Sequence, residues 1–247
     1  DLEFDQRPRV DLDWRESHQS DHLRITSTSV RSAFSFGDGR TLAGPSFDLD
    51  SFRPDSGPVD QILLSRPGLH LAHRIDDTFA WTGNAFVDVI DTQGASGDHV
   101  TPTYDTWFTA LPNDLLRFDL GSSRSTFDNE KTLRKGITAT FAKVSMDVMP
   151  DELTRFSART NWGHYTDGNS RTWWQLESER RVWNHPRMSA GLRYTGFDFA
   201  RLEPASGYYN PHTYHSNEVT LQASDTIGET LRWYVGGSGG WGGTDPR

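Results

Sequence analysis

An all-β chain, folded as an antiparallel up-and-down transmembrane β-barrel or an incomplete fragment of one, is the architecture this sequence predicts. Three observations predict it. Long segments alternate apolar and polar residues with a period of two, the pattern of strands that face two different environments. Only 34% of the 247 residues are hydrophobic and the mean hydropathy is −0.68, a thin supply for a soluble core. Yet 12% are aromatic, nine of them Trp, which excludes a chain disordered by composition. A transmembrane barrel reconciles the three, because every second strand residue faces a polar lumen while its neighbours face lipid. No stretch approaches the ~18 apolar residues that a spanning helix requires.

The elements follow in order. Arg9–Trp14 alternates Val10, Leu12 and Trp14 with charged residues, and His22–Phe36 predicts a second strand closed by the turn Gly37-Asp38-Gly39. Residues 41–68 carry Pro45, Pro54, Pro58 and Pro67 among Gly, Ser and Asp, and predict a long loop with at most short strands. Strands resume at Leu69–Arg74 and Thr78–Asp91, a Gly/Ser/Asp loop follows at Gln93–His99, and Thr103–Ala110 predicts a further strand. Leu115–Gly121 alternates Leu116, Phe118 and Leu120 with Arg117 and Asp119. Only Asn129–Lys135 has helical character.

Ile137–Met149 sets Val144, Met146 and Val148 opposite Lys143, Ser145 and Asp147. Asp151–Trp183 then reads as two long strands about the turn Thr166-Asp167-Gly168-Asn169, whose residues tolerate positive φ. Arg155, Ser157, Arg159 and Asn161 share one face of its first strand, with Phe156, Ala158, Thr160 and Trp162 on the other. Its second strand sets Gln175, Glu177, Glu179 and Arg181 against Trp174, Leu176, Ser178 and Val182. Met188–Phe199, His215–Ser224 and Leu231–Val235 complete a total of roughly ten to thirteen strands. Gly236–Arg247 reads as a loop or linker, and the first residues contain no signal peptide, so the expectation is one barrel domain over 1–247, or a mature fragment of one.

Several motifs resemble a known family. Arg134–Trp183, with RKGIT, MPDE and YTDGNSR each set between strands, and Gly207–Pro211 (GYYNP), resemble the C-terminal outer-membrane β-barrels of bacterial exopolysaccharide secretion proteins. The poly-N-acetylglucosamine porins are the type resembled, with cellulose-export barrels as near relations. The resemblance covers residues 115–235. It implies an outer-membrane porin with about 12–16 strands in the full barrel, exporting an exopolysaccharide without catalysis. It also implies a periplasmic region of tetratricopeptide repeats, and an exopolysaccharide chain and outer-membrane lipid as partners.

On this reading Arg117, Asp119, Arg155, Arg159, Asn161, Gln175, Glu177, Glu179, Arg181 and Arg193 face the lumen and line the path of the polymer. Trp162, Tyr165, Trp173, Trp174, Tyr208 and Tyr209 form an aromatic girdle at headgroup level or a stacking surface for sugars. The net charge of −9 argues against nucleic acid as a partner and suits a partly deacetylated, cationic polymer if the acidic excess lies in the lumen. No cofactor or metal is expected: His70 and His73 project to opposite faces of a strand, and there is no Cys for a thiolate site. Glu177 and Glu179, about 7 Å apart on one face, have the spacing of a glycosidase pair, but a charged lumen wall explains them without chemistry. The string GGSGG lacks the helix that a nucleophile elbow needs. The alternative from another class is a soluble secreted β-sandwich or barrel that binds or hydrolyses carbohydrate, in which Phe156, Ala158 and Trp162 would be covered by a second sheet.

Overall fold

The computed structural model describes residues 8–18, 23–37, 39–54, 61–92, 97–127, 129–202, 207–227 and 231–245. The expectations for Asp38, for Pro58, for the loop core at 93–96 and for both chain ends lie outside the described residues.

Thirteen antiparallel strands form a single sheet in strict sequence order. They are β1 (Arg9–His18), β2 (Leu23–Phe36), β3 (Thr41–Pro54), β4 (Ile62–Arg74), β5 (Phe79–Asp91), β6 (His99–Asn113) and β7 (Leu116–Thr126). After the short helix α1 (Glu130–Arg134) come β8 (Thr138–Asp151), β9 (Thr154–Tyr165), β10 (Ser170–Asn184), β11 (Arg187–Phe199), β12 (Thr213–Ile227) and β13 (Leu231–Asp245). The up-and-down barrel topology is thus established, with β1 and β13 as the two outermost strands and no ladder joining them among the described residues.

Two corrections concern predicted loops. Most of 41–68 is strand, because its prolines sit where a ladder bond is dispensable. Pro45 pairs with Leu69 of β4 but leaves a gap in the β2 ladder, which the Ser32 hydroxyl fills by donating to the Pro45 carbonyl at 3.1 Å. Pro67 pairs with Phe47 and leaves the equivalent gap toward β5. Residues 236–245 of the predicted linker are also strand: β13 pairs with β12 from Leu231 to Asp245 through main-chain bonds that need no side chains. A Cβ at Gly240 would collide with the Asn217 carbonyl, so the close approach requires glycine there.

The helical signal at Asn129–Lys135 becomes α1, with Asn129 as N-cap accepting from the Lys131 and Thr132 amides. Its Leu133 is 1% exposed and packs with Leu23, Ile25, Phe52, Ile62, Leu64 and Ile90. All six lie on one face at the ends of β2 to β5, so the β7–β8 loop folds back against that face. A second cluster beside it joins Ala139, Phe141, Tyr165 and Phe199 with Phe127, Phe197 and Tyr208. Connections at this end are the longer ones. At the other end Asp114–Leu115, Glu152–Leu153 and His185–Pro186 suffice to reverse the chain.

Register assigns the two faces. On one, Arg117 lies opposite Asp147, Asp147 opposite Ser157, and Ser157 opposite Glu177. On the other, Val10, Leu12, Phe118, Leu120, Phe156, Leu176, Leu192 and Leu221 stand exposed. Among the described residues no second sheet covers that apolar face, which overturns the sandwich alternative: Phe156 and Trp162 are 49% and 50% exposed. The polar face is concave. Arg66 on β4 and Thr126 on β7 stand three strand spacings apart, about 14 Å along a flat sheet, yet the guanidinium donates to the hydroxyl at 3.0 Å.

Candidate functional site

The inner wall is built in rungs that cross the sheet at successive registers. One rung runs Thr82, Trp107, Gly121, Lys143, Asn161, Trp173, Phe197 and Tyr214. Toward the short turns the next is Ala80, Thr109, Asp119, Ser145, Arg159, Gln175, Thr195 and Ser216. Beyond it stand Arg117, Asp147, Ser157, Glu177, Arg193 and Glu218. Aromatic groups therefore give way to charged ones from the long-loop end to the short-turn end.

Within the charged rungs the groups satisfy one another. Asp119 accepts from Thr109 at 2.6 Å, Ser145 at 3.0 Å and Arg117 at 3.0 Å. Asp147 accepts from Ser157 and pairs with Arg155 at 2.9 Å. Arg193 bridges Glu177 at 3.3 Å and Glu218 at 3.5 Å. Further round the wall, Arg66 pairs with Asp50 at 3.2 Å and Asp88 at 3.4 Å, and Asp88 also accepts from Thr103 and Thr126 at 2.6 and 2.8 Å. On β1, Arg9–Asp11 and Arg15–Asp13 continue the pattern at 3.2 and 2.7 Å. The acidic groups of these rungs stand beside basic partners, with Arg66 and Arg193 each serving two carboxylates. Neutralisation is the physical reason, because a carboxylate on a partly desolvated wall is retained only with a partner.

All ten predicted lining residues project from this face. Arg117, Asp119, Arg155, Arg159 and Asn161 border a hollow of about 630 Å³ whose wall also includes Trp107, Lys143, Asp147 and Trp173. Glu179 and Arg181, with Arg155, line a second hollow of about 440 Å³ near the short turns. Gln175 donates to Thr195 at 3.3 Å. Sequence alternation missed Trp107 and Asp105, because β6 carries large apolar groups on both faces, Phe108 on one and Trp107 on the other.

The six predicted girdle or stacking aromatics divide. Trp162 and Trp174 lie on the outer, apolar face, where the Trp174 ring covers Gly196. Trp173 faces inward opposite Asn161. Tyr165, 1% exposed, stacks on Tyr208 with ring centroids 4.8 Å apart and on Phe127 at 5.4 Å, out of reach of lipid. Its odd number on β9 puts it on the inner face with Arg159 and Asn161, a parity that proximity to Trp162 in sequence conceals. Tyr208 donates to Asp167 at 2.8 Å and accepts from Asn169 at 3.1 Å. Burial, reinforced by the Asp167 carboxylate and opposed by the Asn169 bond, raises its phenol above the usual tyrosine range. Tyr209, 65% exposed, meets Phe197 edge-on at 6.1 Å.

The histidine and carboxylate pairs resolve as wall. His70 bonds Asn84 at 2.9 Å on the inner face, while His73 bonds Thr41 at 2.9 Å on the outer. Glu177, half of the candidate glycosidase pair, is committed to Arg193.

A curved meander of strands, apolar and uncovered outside and ion-paired inside, defines the chain as the wall of a bacterial outer-membrane β-barrel. More particularly, the PgaA membrane beta barrel domain matches residues 97–233, more than half of the chain, and the chain belongs to that family. The match spans β6 to the start of β13 and so includes the second hollow and all of the first except its β5 residues Ala80 and Thr82. Among curated proteins none matches the chain significantly.

Proposed function

We propose that the barrel is a passive conduit through which an exopolysaccharide of the poly-N-acetylglucosamine type leaves the cell. The observation that supports this reading most directly is the inner wall, in which many of the charged side chains are paired with one another. A sliding saccharide can exchange hydrogen bonds with such a wall at little cost. Conduction needs contacts weak enough to release, and many shallow contacts meet that need better than one deep site.

Arg117, Asp119, Arg155, Arg159, Asn161, Gln175, Glu177, Glu179, Arg181 and Arg193 are the proposed polymer-lining residues, and the conduit performs no catalysis. Outer-membrane barrels turn tightly on the periplasmic side and carry longer loops outside, so the ends near Asp114, Glu152 and His185 are assigned to the periplasm. A tetratricopeptide-repeat region of the full protein would deliver polymer there, with outer-membrane lipid around Phe156, Leu176 and Leu192. In a planar bilayer, poly-N-acetylglucosamine oligomers should block ion current in a length-dependent manner, more strongly than cello-oligosaccharides of equal length. Failure of both to block would refute the conduit.

A further inference from the structure

At the long-loop end of β1 to β3, one rung of the outer face departs from its apolar pattern. Leu23 and Phe52 are 3% and 1% exposed on the inner face, so their sequence neighbours Arg24 and Arg53 project outward. The ladders set Arg24 directly opposite both His18 of β1 and Arg53 of β3, which places three basic side chains abreast. The next rung toward mid-membrane is Glu16, Thr26 and Ser51. Beyond it the apolar band begins with exposed Trp14 and Leu49 and continues through Leu12, Val30 and Phe47. An indole at that depth marks the membrane interface, and the long loops place this end outside the cell. The basic rung therefore stands at the headgroups of the outer leaflet.

Like charges directly opposite in a ladder destabilise it, so the anions around this rung decide whether it is balanced. Glu16 accepts from Arg24 at 2.9 Å and lies 3.4 Å from His18. Arg53 is the group that this carboxylate does not serve. It is exposed, and among the described residues no carboxylate comes within ion-pair distance of it, including Asp91, which stands outward opposite Leu63 on the rung below. Gln61, the next polar group along β4, donates to Ser51 at 2.7 Å. A guanidinium at a lipid interface, set against a second guanidinium across one ladder, is a ready receptor for an anion. Phosphate suits it best, because its oxygens match the planar donor fork in pairs.

We propose that Arg53 and Arg24, flanked by His18, form a site on the lipid-facing side of the wall for a phosphorylated lipid headgroup of the outer leaflet. The phosphate lies between the two guanidinium groups and relieves their repulsion. The acyl chains run down the apolar band past Leu49 and Phe47, with the Trp14 ring at the boundary between headgroup and chains. None of these side chains faces the lumen, so the site stands or falls independently of the conduit.

Native mass spectrometry of the purified chain in maltoside micelles tests it, with bisphosphorylated lipid A, the same lipid stripped of phosphate by phosphatase, and inorganic phosphate as probes. The phosphorylated lipid should bind at least tenfold more tightly than the stripped one. Arg53→Gln should weaken it about tenfold, the order of one charge-assisted hydrogen bond, and Arg53→Lys should restore part of the loss. Arg180→Gln removes an outward arginine at the short-turn end, where it donates to Thr154 at 3.1 Å, and should leave lipid binding unchanged. Arg53 has no ion-pair partner to lose among the described residues, so Arg53→Gln should keep the electrophoretic shift of the folded barrel, which separates lost binding from lost fold. Equal binding of the two lipids, wild-type affinity in Arg53→Gln, or an equal loss in Arg180→Gln would overturn the site. Displacement of the lipid by millimolar inorganic phosphate would overturn its assignment to a lipid.

Discussion

Leu176 and Gln175 are sequence neighbours that the fold sends to opposite solvents, and placing the same arginine at each tests the assignment of faces. Leu176 is 55% exposed on the outer face, opposite Ala158 and Tyr194 near the middle of β10. Gln175 stands on the inner face between Arg159 and Thr195. An arginine at the bilayer midplane of a barrel's lipid face costs about 2–4 kcal/mol, which lowers the folding equilibrium by about 30- to 700-fold at 1.4 kcal/mol per tenfold. The inner position exchanges one bond to Thr195, 3.3 Å long, for a solvated charge, at a cost of about 1 kcal/mol or less. Refolding into phosphatidylcholine vesicles, followed by the electrophoretic shift of folded barrel over a urea series, measures both. Leu176→Arg should fold at far lower yield while Gln175→Arg stays near wild type. Equal losses, or a larger loss for Gln175→Arg, would refute the assignment.

Three further outcomes are expected. Gly121→Val should lift the Trp107 ring off the wall, because a Cβ meets it at 2.6–2.9 Å, costing about 1–3 kcal/mol as overpacking does; a red shift of tryptophan emission at lower denaturant reports it. Asp88→Ala removes one of the two carboxylates paired with Arg66, at a 1%-exposed site, and should cost about 3 kcal/mol, the lower end for a broken buried pair, in a urea titration of the folded barrel. Tyr208, whose phenol is raised by burial, should stay protonated in an ultraviolet titration after exposed tyrosines have ionised. The sign follows: stability from its protonated contacts is full below the ordinary tyrosine pKa of about 10 and is lost as pH rises past it. Tyr208→Phe should remove that late ionisation at a cost of about 0.5–1.5 kcal/mol.

The alternation of β8 to β12 was legible in sequence because each strand holds its period for a dozen residues or so, and parity placed all ten residues proposed as lining on one face. The prolines of β3 and β4 misled, since composition does not reveal which ladder bonds a neighbouring strand can forgo. The glycines of β13 misled for a related reason: a strand that pairs by backbone alone leaves no periodic side-chain signal. The site was legible in part. Parity found Arg159 and Asn161, but Trp173 looked like its neighbour Trp174, and only register separates an inward ring from an outward one. Ion pairing was out of reach of sequence, because Asp88 finds its partners at Arg66, Thr103 and Thr126 through curvature of the sheet.

The bond from Arg66 to Thr126 spans 60 residues of chain, whereas every ladder in the sheet joins strands adjacent in sequence. Hairpins can therefore zip one after another with little loop-closure entropy to overcome, while this cross-wall bond must wait until four strands have bent together. It belongs late on the folding path. Arg66→Ala should accordingly speed unfolding and leave the folding rate nearly untouched, which makes this one side chain a kinetic marker for the moment at which a flat ribbon of hairpins becomes a wall.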